Sequence, residues 1–276
     1  VPAGGDLTHR MHKLDEQICH SMSGSILSAS ADSAEIVFMV HGYRKPYTPV
    51  SDTRTSIRDF EDWERALRSG DGRVFPVKVF WDGMYDCCFS MSPKKNRPHF
   101  EVFMRAREQA KEVGVGLSGI ISGLSGRRVE IQTHSLGAMV AVHCLGHLEK
   151  TGYTALHGAG IELTLIAPAL APTDVENLYQ TSDSYSRGGW NINLLCNRKD
   201  IVLRKKDFLL ALIGPGPHKY GDTSLGCNHR KAATELSEKL AATCPDAPVR
   251  VIDMSDVGKC HHITCYLASS QFPENR

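Results

Sequence analysis

The sequence lacks a long hydrophobic run, an excess of either charge and a glycine-rich phosphate-binding loop. No apolar stretch approaches the roughly 20 residues that a membrane-spanning helix needs, so no transmembrane segment is predicted. The 32 Lys and Arg residues balance 31 Asp and Glu residues, which gives no electrostatic basis for binding nucleic acid or an anionic membrane. Neither a dinucleotide fingerprint nor an RNA-binding aromatic pattern is present. The sequence therefore predicts no nucleic-acid partner.

The nine cysteines lack the spacing of a small disulfide-rich scaffold. Cys144 and Cys196 lie in apolar stretches, which predicts buried free thiols. The cysteines of the loop-rich C-terminal third are candidates for disulfides if the protein is exported: Cys227, Cys244, Cys260 and Cys265. The chain begins at Val1, which suggests that a signal peptide or an expression tag was removed. Export is favoured over a cytoplasmic location, and the disulfide pattern stays open.

The 276 residues suffice for one large α/β domain. Short apolar and β-branched runs alternate with amphipathic segments, which predicts parallel strands joined by right-handed helical crossovers. The predicted strands are 35–40, 74–81, 128–133, 160–169, 190–196 and 249–254. Residues 1–34 are expected to be a lead-in segment and residues 35–276 a single domain. The expected fold class is α/β, with a mostly parallel central sheet and helices on both faces.

Helices are expected between these strands, at 57–68, 99–124, 174–180 and 229–242. In the second of them, Gly114, Gly116 and Gly119 weaken the helical prediction, since each glycine costs about 1 kcal/mol relative to alanine. The lead-in segment is expected to be a helix or only partly ordered.

The strongest functional signal lies in residues 128–142. A β-branched strand runs into Thr133-His134-Ser135-Leu136-Gly137, and a helix of small residues follows. A serine on a tight strand-to-helix turn is typical of a nucleophile, for which the usual pattern is Gly-x-Ser-x-Gly. Thr133 takes the place of the first glycine, so the match is partial. The alternative is that Ser135 is a turn residue that caps the following helix.

Active sites of open α/β sheets lie just beyond the C-terminal ends of the strands. Asp200 follows one predicted strand, and the pair His261-His262 follows the last. With Ser135, this gives the chain order serine, acid, histidine of the α/β hydrolases. Further matching segments are Val40-His41-Gly42-Tyr43-Arg44, Val79-Phe80-Trp81, Thr133-His134-Ser135-Leu136-Gly137-Ala138 and Ile166-Ala167-Pro168-Ala169. Over residues 35–268 the chain resembles an α/β-hydrolase serine esterase or lipase of a poorly characterised bacterial subgroup.

The resemblance implies a three-layer α/β-hydrolase fold and cleavage of carboxylic esters without a cofactor. Ser135 is the expected nucleophile, His262 the expected base and Asp200 the acid that orients the base. His261 remains an alternative to His262. Asp174 remains an alternative to Asp200, although it also fits the N-cap of a helix.

The same resemblance implies an oxyanion hole made by the backbone N–H groups of Tyr43 and Leu136. It places His41, Trp81 and His134 around the substrate, which is expected to be a small-molecule or lipid ester. The competing functions are a phospholipase or other lipid acyl hydrolase, such as a secreted effector, and a non-catalytic hydrolase fold used for binding.

A zinc site is the minor alternative for the C-terminal segment. Its potential ligands are Cys260, His261, His262 and Cys265. Adjacent residues rarely point at one metal, and no second ligand cluster at zinc-finger spacing occurs in the sequence. No metal is therefore expected.

Overall fold

The computed structural model describes residues 4–42, 56–68, 73–81, 93–124, 126–151, 161–180, 190–200, 202–203, 224–243 and 249–273. Its centre is a six-stranded sheet in which every strand runs parallel to its neighbours. The strands are β1 (Glu35–Val40), β2 (Val74–Val79), β3 (Arg128–His134), β4 (Ile161–Ile166), β5 (Trp190–Cys196) and β6 (Val249–Asp253). The order across the sheet is β2-β1-β3-β4-β5-β6. The predicted α/β class with a parallel sheet is confirmed.

The strands alternate with helices. The helices are α1 (Gly4–Ala29), α2 (Ser56–Arg68), α3 (Pro93–Ser122), α4 (Gly137–Lys150), α5 (Pro172–Gln180), α6 (Ser224–Cys227), α7 (Ala232–Thr243) and α8 (Ile263–Leu267). Right-handed crossovers fix the face that each connecting helix covers. From β1 to β2 the chain moves toward one edge of the sheet, and from β2 to β6 it moves toward the other edge. Helix α2, which joins β1 to β2, therefore covers one face. The helices of the later connections, α3, α4, α5 and α7, cover the opposite face. The contacts agree, because α3, α4, α5 and α7 pack in succession while α8 packs on α2.

The core follows from the apolar character of the central strands. From Ile36 to Val40, β1 is at most 1% exposed, as expected for a parallel strand covered on both faces. Some buried polar groups on the sheet are paired with side chains of the covering helices. The Trp63 indole of α2, for example, donates to the side-chain oxygen of Gln132 on β3 over 2.6 Å. This bond ties α2 to the strand that leads to Ser135.

The helix of the predicted lead-in segment, α1, lies against α3. The Ser23 hydroxyl donates to the carbonyl oxygen of Ile120 over 2.8 Å. A Cβ atom on Gly123 would lie 2.5 Å from Ser23 Oγ, and one on Gly119 would lie 3.1 Å from Cys19 Sγ. Gly119, which weakens the sequence-based prediction of α3, and Gly123 just after the helix therefore allow α1 to approach closely.

The opposite side of α3 meets α4 through another glycine. A Cβ atom on Gly114 would lie 2.6 Å from the carbonyl oxygen of Val140 and 2.8 Å from the Cβ of His143, whereas one on Gly116 would meet nothing within 4 Å. The helices of the described ranges do not meet the requirements of a membrane span. None of them, including the long helices α1 and α3, is both long and apolar enough to cross a bilayer.

Candidate active site

The carboxyl ends of β1 and β3 form the point at which the strand order reverses. The two strands are neighbours, but the chain leaves β1 toward β2 and leaves β3 toward β4, in opposite directions. Ligands of open α/β sheets bind in the crevice at such a point. Val40 is paired with Thr133 in the sheet, so the register brings Gly42 and Ser135 side by side just beyond it.

Ser135 forms the sharp turn between β3 and α4. Its φ of 53° is left-handed, which is uncommon outside glycine and strained. The backbone is held on both sides, because the Ser135 N–H donates to the carbonyl oxygen of Ile166 (2.9 Å) and its own carbonyl oxygen accepts from the N–H of Ala169 (3.0 Å). Leu136, not Ser135, is the N-cap residue of α4, and no side chain caps this helix. The turn therefore does not use the serine hydroxyl as a helix cap.

Two glycines allow the loop after β1 to approach this turn. A Cβ atom on Gly42 would lie 2.7 Å from the Cβ of Ser135 and 2.8 Å from the carbonyl oxygen of His134. A Cβ atom on Gly137 would lie 2.6 Å from each of the carbonyl oxygens of the two residues before Gly42. Any larger residue at either position would force the loop and the turn apart.

Thr133 occupies the position of the missing first glycine. It is completely buried in β3, and among the described residues its hydroxyl has no hydrogen-bond partner. The strand continues in regular register through His134, so the chain has room for a side chain at the threonine position. The turn thus tolerates the departure from the usual pattern.

His261, and not His262, lies between Ser135 and Asp200. Its Nε2 atom is 3.0 Å from Ser135 Oγ, and its Nδ1 atom is 2.6 Å from Asp200 Oδ2. His262 is the N-cap residue of α8 and has an extended backbone. Because successive side chains of an extended chain point to opposite sides, only one of the two histidines faces the serine. The structure therefore corrects the expected choice of His262 to His261.

Asp200 is completely buried, and its carboxylate accepts four hydrogen bonds. Oδ1 accepts from the backbone N–H groups of Val202 (2.8 Å) and Leu203 (3.0 Å). Oδ2 accepts from His261 and from the hydroxyl of Tyr266 (3.2 Å). Such donors offset the cost of burying a carboxylate. Burial, together with the charge of Asp200, raises the pKa of Tyr266, so its hydroxyl stays protonated and donates.

Asp174, the alternative acid, serves the start of a helix. Its Oδ2 accepts from the N–H of Ala171 over 2.8 Å and lies 3.8 Å from the guanidinium of Arg107. Helix α5 begins at Pro172, so Asp174 is its third residue and not its N-cap. A carboxylate at this position satisfies the N–H that precedes the helix. The structure thus brings Asp200, and not Asp174, to His261.

The segment that carries His261 is held by contacts that the sequence did not reveal. The Asn197 side-chain amide donates to two carbonyl oxygens of this segment, including that of Cys260 (3.1 Å). His134 binds the carbonyl oxygen of His261 through Nε2 (2.7 Å). A disulfide joins Cys260 to Cys265. In the sequence, the two cysteines that flank the histidine pair were the available signal for a disulfide at this segment. An asparagine after a strand gives no such signal, so the contacts of Asn197 could not be predicted.

The disulfide also bears on the zinc alternative. Both sulfur atoms of that ligand set are bonded to each other, and no group of three or more metal-binding side chains occurs in the described ranges. Cys144 and Cys196 are free and buried, as predicted, and burial raises the pKa of both thiols. Cys227, a candidate for pairing, is a buried thiol as well.

His41 and Trp81 pack together beneath the loop after β1. Their rings are stacked with centroids 5.7 Å apart, and the Trp81 indole donates to the carbonyl oxygen of His41 over 2.8 Å. Nδ1 of His41 donates to the carbonyl oxygen of Gly42 over 2.6 Å. The two side chains are 2% and 5% exposed. They support Gly42 beside Ser135, and their expected place at a substrate pocket, like that of His134, stays a prediction.

The structure describes only one of the two predicted oxyanion donors. Leu136 follows Ser135 directly, and its N–H donates to no other residue in the described part of the chain. Tyr43 lies outside the described residues.

No protein-family model matches this sequence, and no curated protein sequence matches it. Its function has to be inferred from the arrangement of Ser135, His261 and Asp200.

Proposed function

We propose that the protein is a serine hydrolase of the α/β-hydrolase type that cleaves carboxylic esters through an acyl-enzyme. The observation that carries the proposal is the hydrogen-bonded chain from Ser135 Oγ to His261 Nε2 (3.0 Å) and from His261 Nδ1 to Asp200 Oδ2 (2.6 Å). A nucleophile bonded to a base that is oriented by a third group is the arrangement that activates a serine. The chain order serine, acid, histidine is that of α/β hydrolases.

The partners of His261 define its tautomer. A carboxylate oxygen without a proton can only accept, so the Nδ1 atom that faces Asp200 carries the hydrogen. Nε2 then presents its lone pair to the hydroxyl of Ser135. In the first step Nε2 takes the hydroxyl proton while Oγ bonds to the ester carbonyl carbon. Asp200 stabilises the resulting imidazolium without taking its proton.

The carbonyl oxygen becomes negative as the tetrahedral intermediate forms. The N–H of Leu136 would bind it, with a second donor from the loop that Gly42 brings beside Ser135. Tyr43 is the proposed source of this second donor. Each such donor contributes about 3–4 kcal/mol of transition-state stabilisation in serine hydrolases.

Collapse of the intermediate breaks the bond to the alcohol. His261 returns its proton to the leaving oxygen, and the acyl group stays on Ser135. Water then attacks the acyl-enzyme with His261 as the base, which releases the carboxylic acid and restores the serine. These side chains carry all the proton transfers, so the proposed reaction needs no cofactor.

Labelling with a fluorophosphonate probe tests the proposal directly. The probe forms a covalent bond with an activated serine, so we expect Ser135 to be the labelled residue at neutral pH. Ser135→Ala and His261→Ala should each lower the hydrolysis of p-nitrophenyl esters by about 10⁴-fold or more. His262→Ala is the matched control, because it changes the neighbouring histidine in the same disulfide loop and should retain turnover.

The outcomes separate the candidate functions. A folded wild-type protein that neither labels at Ser135 nor turns over esters would support a binding role and contradict the proposal. Loss of activity in His262→Ala with retention in His261→Ala would restore His262 as the base. A panel of acyl lengths and phospholipids would then show whether the substrate is a small ester or a lipid.

A further inference from the structure

The Cys260–Cys265 disulfide joins the immediate neighbours of two residues that bind Asp200. Cys260 precedes His261, and Cys265 precedes Tyr266. His261 and Tyr266 both donate to the same oxygen, Oδ2 of Asp200. The disulfide therefore fixes the spacing of the two donors that position the proposed acid and base.

Side chains from other parts of the chain also hold the segment around His261. It lies between the 3₁₀ turn Ser255–Val257 and α8, and Gly258 takes a left-handed φ of 72°. Side-chain contacts from Asn197 and His134 hold its carbonyl oxygens. A misplacement of about 1 Å in a catalytic group can cost on the order of 100-fold in rate. The position of His261 is thus sensitive to any loosening of this segment.

The disulfide closes a short loop and is partly exposed. A cross-link between residues only five positions apart removes little chain entropy compared with one that closes a long loop. Its main effect is therefore local. Cys260 and Cys265 are both partly exposed, whereas the thiols of Cys144, Cys196 and Cys227 are buried. Exposed disulfides are the ones that thiols reduce readily.

We propose that the Cys260–Cys265 disulfide positions His261 and that its reduction by a dithiol lowers the proposed hydrolase activity. This inference rests on the proposed roles of Ser135, His261 and Asp200. A thiolate of the dithiol attacks one sulfur, breaks the Cys260–Cys265 bond and forms a mixed disulfide. The second thiol of the reductant then releases the cysteine and closes a disulfide in the reductant. Two electrons pass to the protein, and both cysteines gain a proton at neutral pH.

The test compares kcat and KM of the oxidised protein, the protein reduced with dithiothreitol, and the double variant C260S/C265S. We expect kcat to fall by about 10- to 100-fold in the reduced protein and in the double variant, with KM nearly unchanged. The double variant should not respond to dithiothreitol. Cys19→Ser is the matched control, because Cys19 is a partly exposed thiol in α1, distant in sequence from the disulfide, and this variant should keep the full response.

Two further measurements separate positioning from unfolding. The low-field proton resonance of the His261–Asp200 hydrogen bond should be present in the oxidised protein and broadened after reduction. Near-UV circular dichroism should show that the fold persists in both states. Equal kcat in the two states, or loss of activity only together with the fold, would overturn the inference. Oxidised protein that fails to label at Ser135 would instead refute the proposed function.

Discussion

The imidazole of His134 donates its Nε2 hydrogen to the carbonyl oxygen of His261 over 2.7 Å. A carbonyl oxygen only accepts, so this bond fixes the tautomer of His134. His134 is also the last residue of β3, directly before Ser135. The end of β3 therefore positions both proposed catalytic residues. It precedes the nucleophile Ser135 directly in the chain, and through the His134 side chain it holds the segment of the base His261.

Removing this bond should slow catalysis without removing any reacting group. In His134→Phe the ring volume is kept but the donor is lost, and we expect kcat to fall by about 10- to 100-fold with little change in KM. His134→Gln, whose side-chain amide can still donate, should retain more of the activity. Steady-state kinetics on a p-nitrophenyl ester measure the difference. Wild-type kcat in His134→Phe would show that the carbonyl bond is dispensable.

The two aspartates should separate activity from stability. Asp200→Asn would favour the wrong tautomer of His261, and we expect a loss of about 10⁴-fold in kcat. Asp174→Asn removes a charge from the first turn of α5, which should lower the free energy of unfolding by roughly 0.3–1 kcal/mol and leave kcat intact. Ester hydrolysis and urea denaturation of both variants provide the two readouts. A larger kcat loss in the Asp174 variant would reassign the acid.

Hydrophobic patterning was sufficient to predict the sheet. Each of the six strands begins within one residue of its predicted start, because short segments rich in apolar and β-branched residues mark the strands in the sequence. Ser135 and Asp200 were expected at the same edge of the sheet for a related reason, and each lies within hydrogen-bond distance of His261. Ser135 directly follows β3 and Asp200 lies four residues after the end of β5, and the ends of parallel strands meet at one edge of the sheet.

The choice between His261 and His262 was not available from the sequence. No strand register extends to these residues, and one residue of difference reverses the side that a side chain faces. Their orientation follows from the Cys260–Cys265 disulfide, which closes a loop within the segment itself, and from the Asn197 amide and the His134 bond, which are contacts with segments distant in sequence. The close packing at Gly114 and Gly119 of α3 was not predicted for the same reason, since helical propensity ignores what packs against the helix.

The stability of the protein should depend on Tyr266 at high pH. Burial raises the pKa of Tyr266 in the folded state, so the hydroxyl keeps its proton above pH ~10, where an unfolded tyrosine loses it. Above pH ~10 the unfolded state therefore binds fewer protons than the folded state. As the pH rises further, Tyr266 lowers the free energy of unfolding by up to about 1.4 kcal/mol per pH unit. Below pH ~10 tyrosine is protonated in both states, so the stabilising contribution of the Tyr266 hydroxyl is fully present.

Tyr266→Phe isolates this effect, because the buried thiols are common to both proteins. At neutral pH the variant should be less stable by about 1 kcal/mol through loss of the bond to Asp200. The difference between the two proteins should shrink as the pH rises above ~10. Urea denaturation across this range measures it. A difference that is independent of pH would show that Tyr266 titrates normally in the fold.

Paired glycine variants test the packing of α3 independently of catalysis. Gly114→Ala would place a methyl group 2.6 Å from the carbonyl oxygen of Val140 in α4, and two packed backbones cannot separate without cost. We expect a loss of about 1–3 kcal/mol in the free energy of unfolding. Gly116→Ala lies two residues along the same helix and meets nothing within 4 Å, so helical propensity alone should make it more stable by about 0.5–1 kcal/mol. Chemical denaturation should therefore give effects of opposite sign. Equal effects would mean that α3 does not pack on α4 through Gly114, and the helix that supports the Ser135 turn would then have to be placed differently.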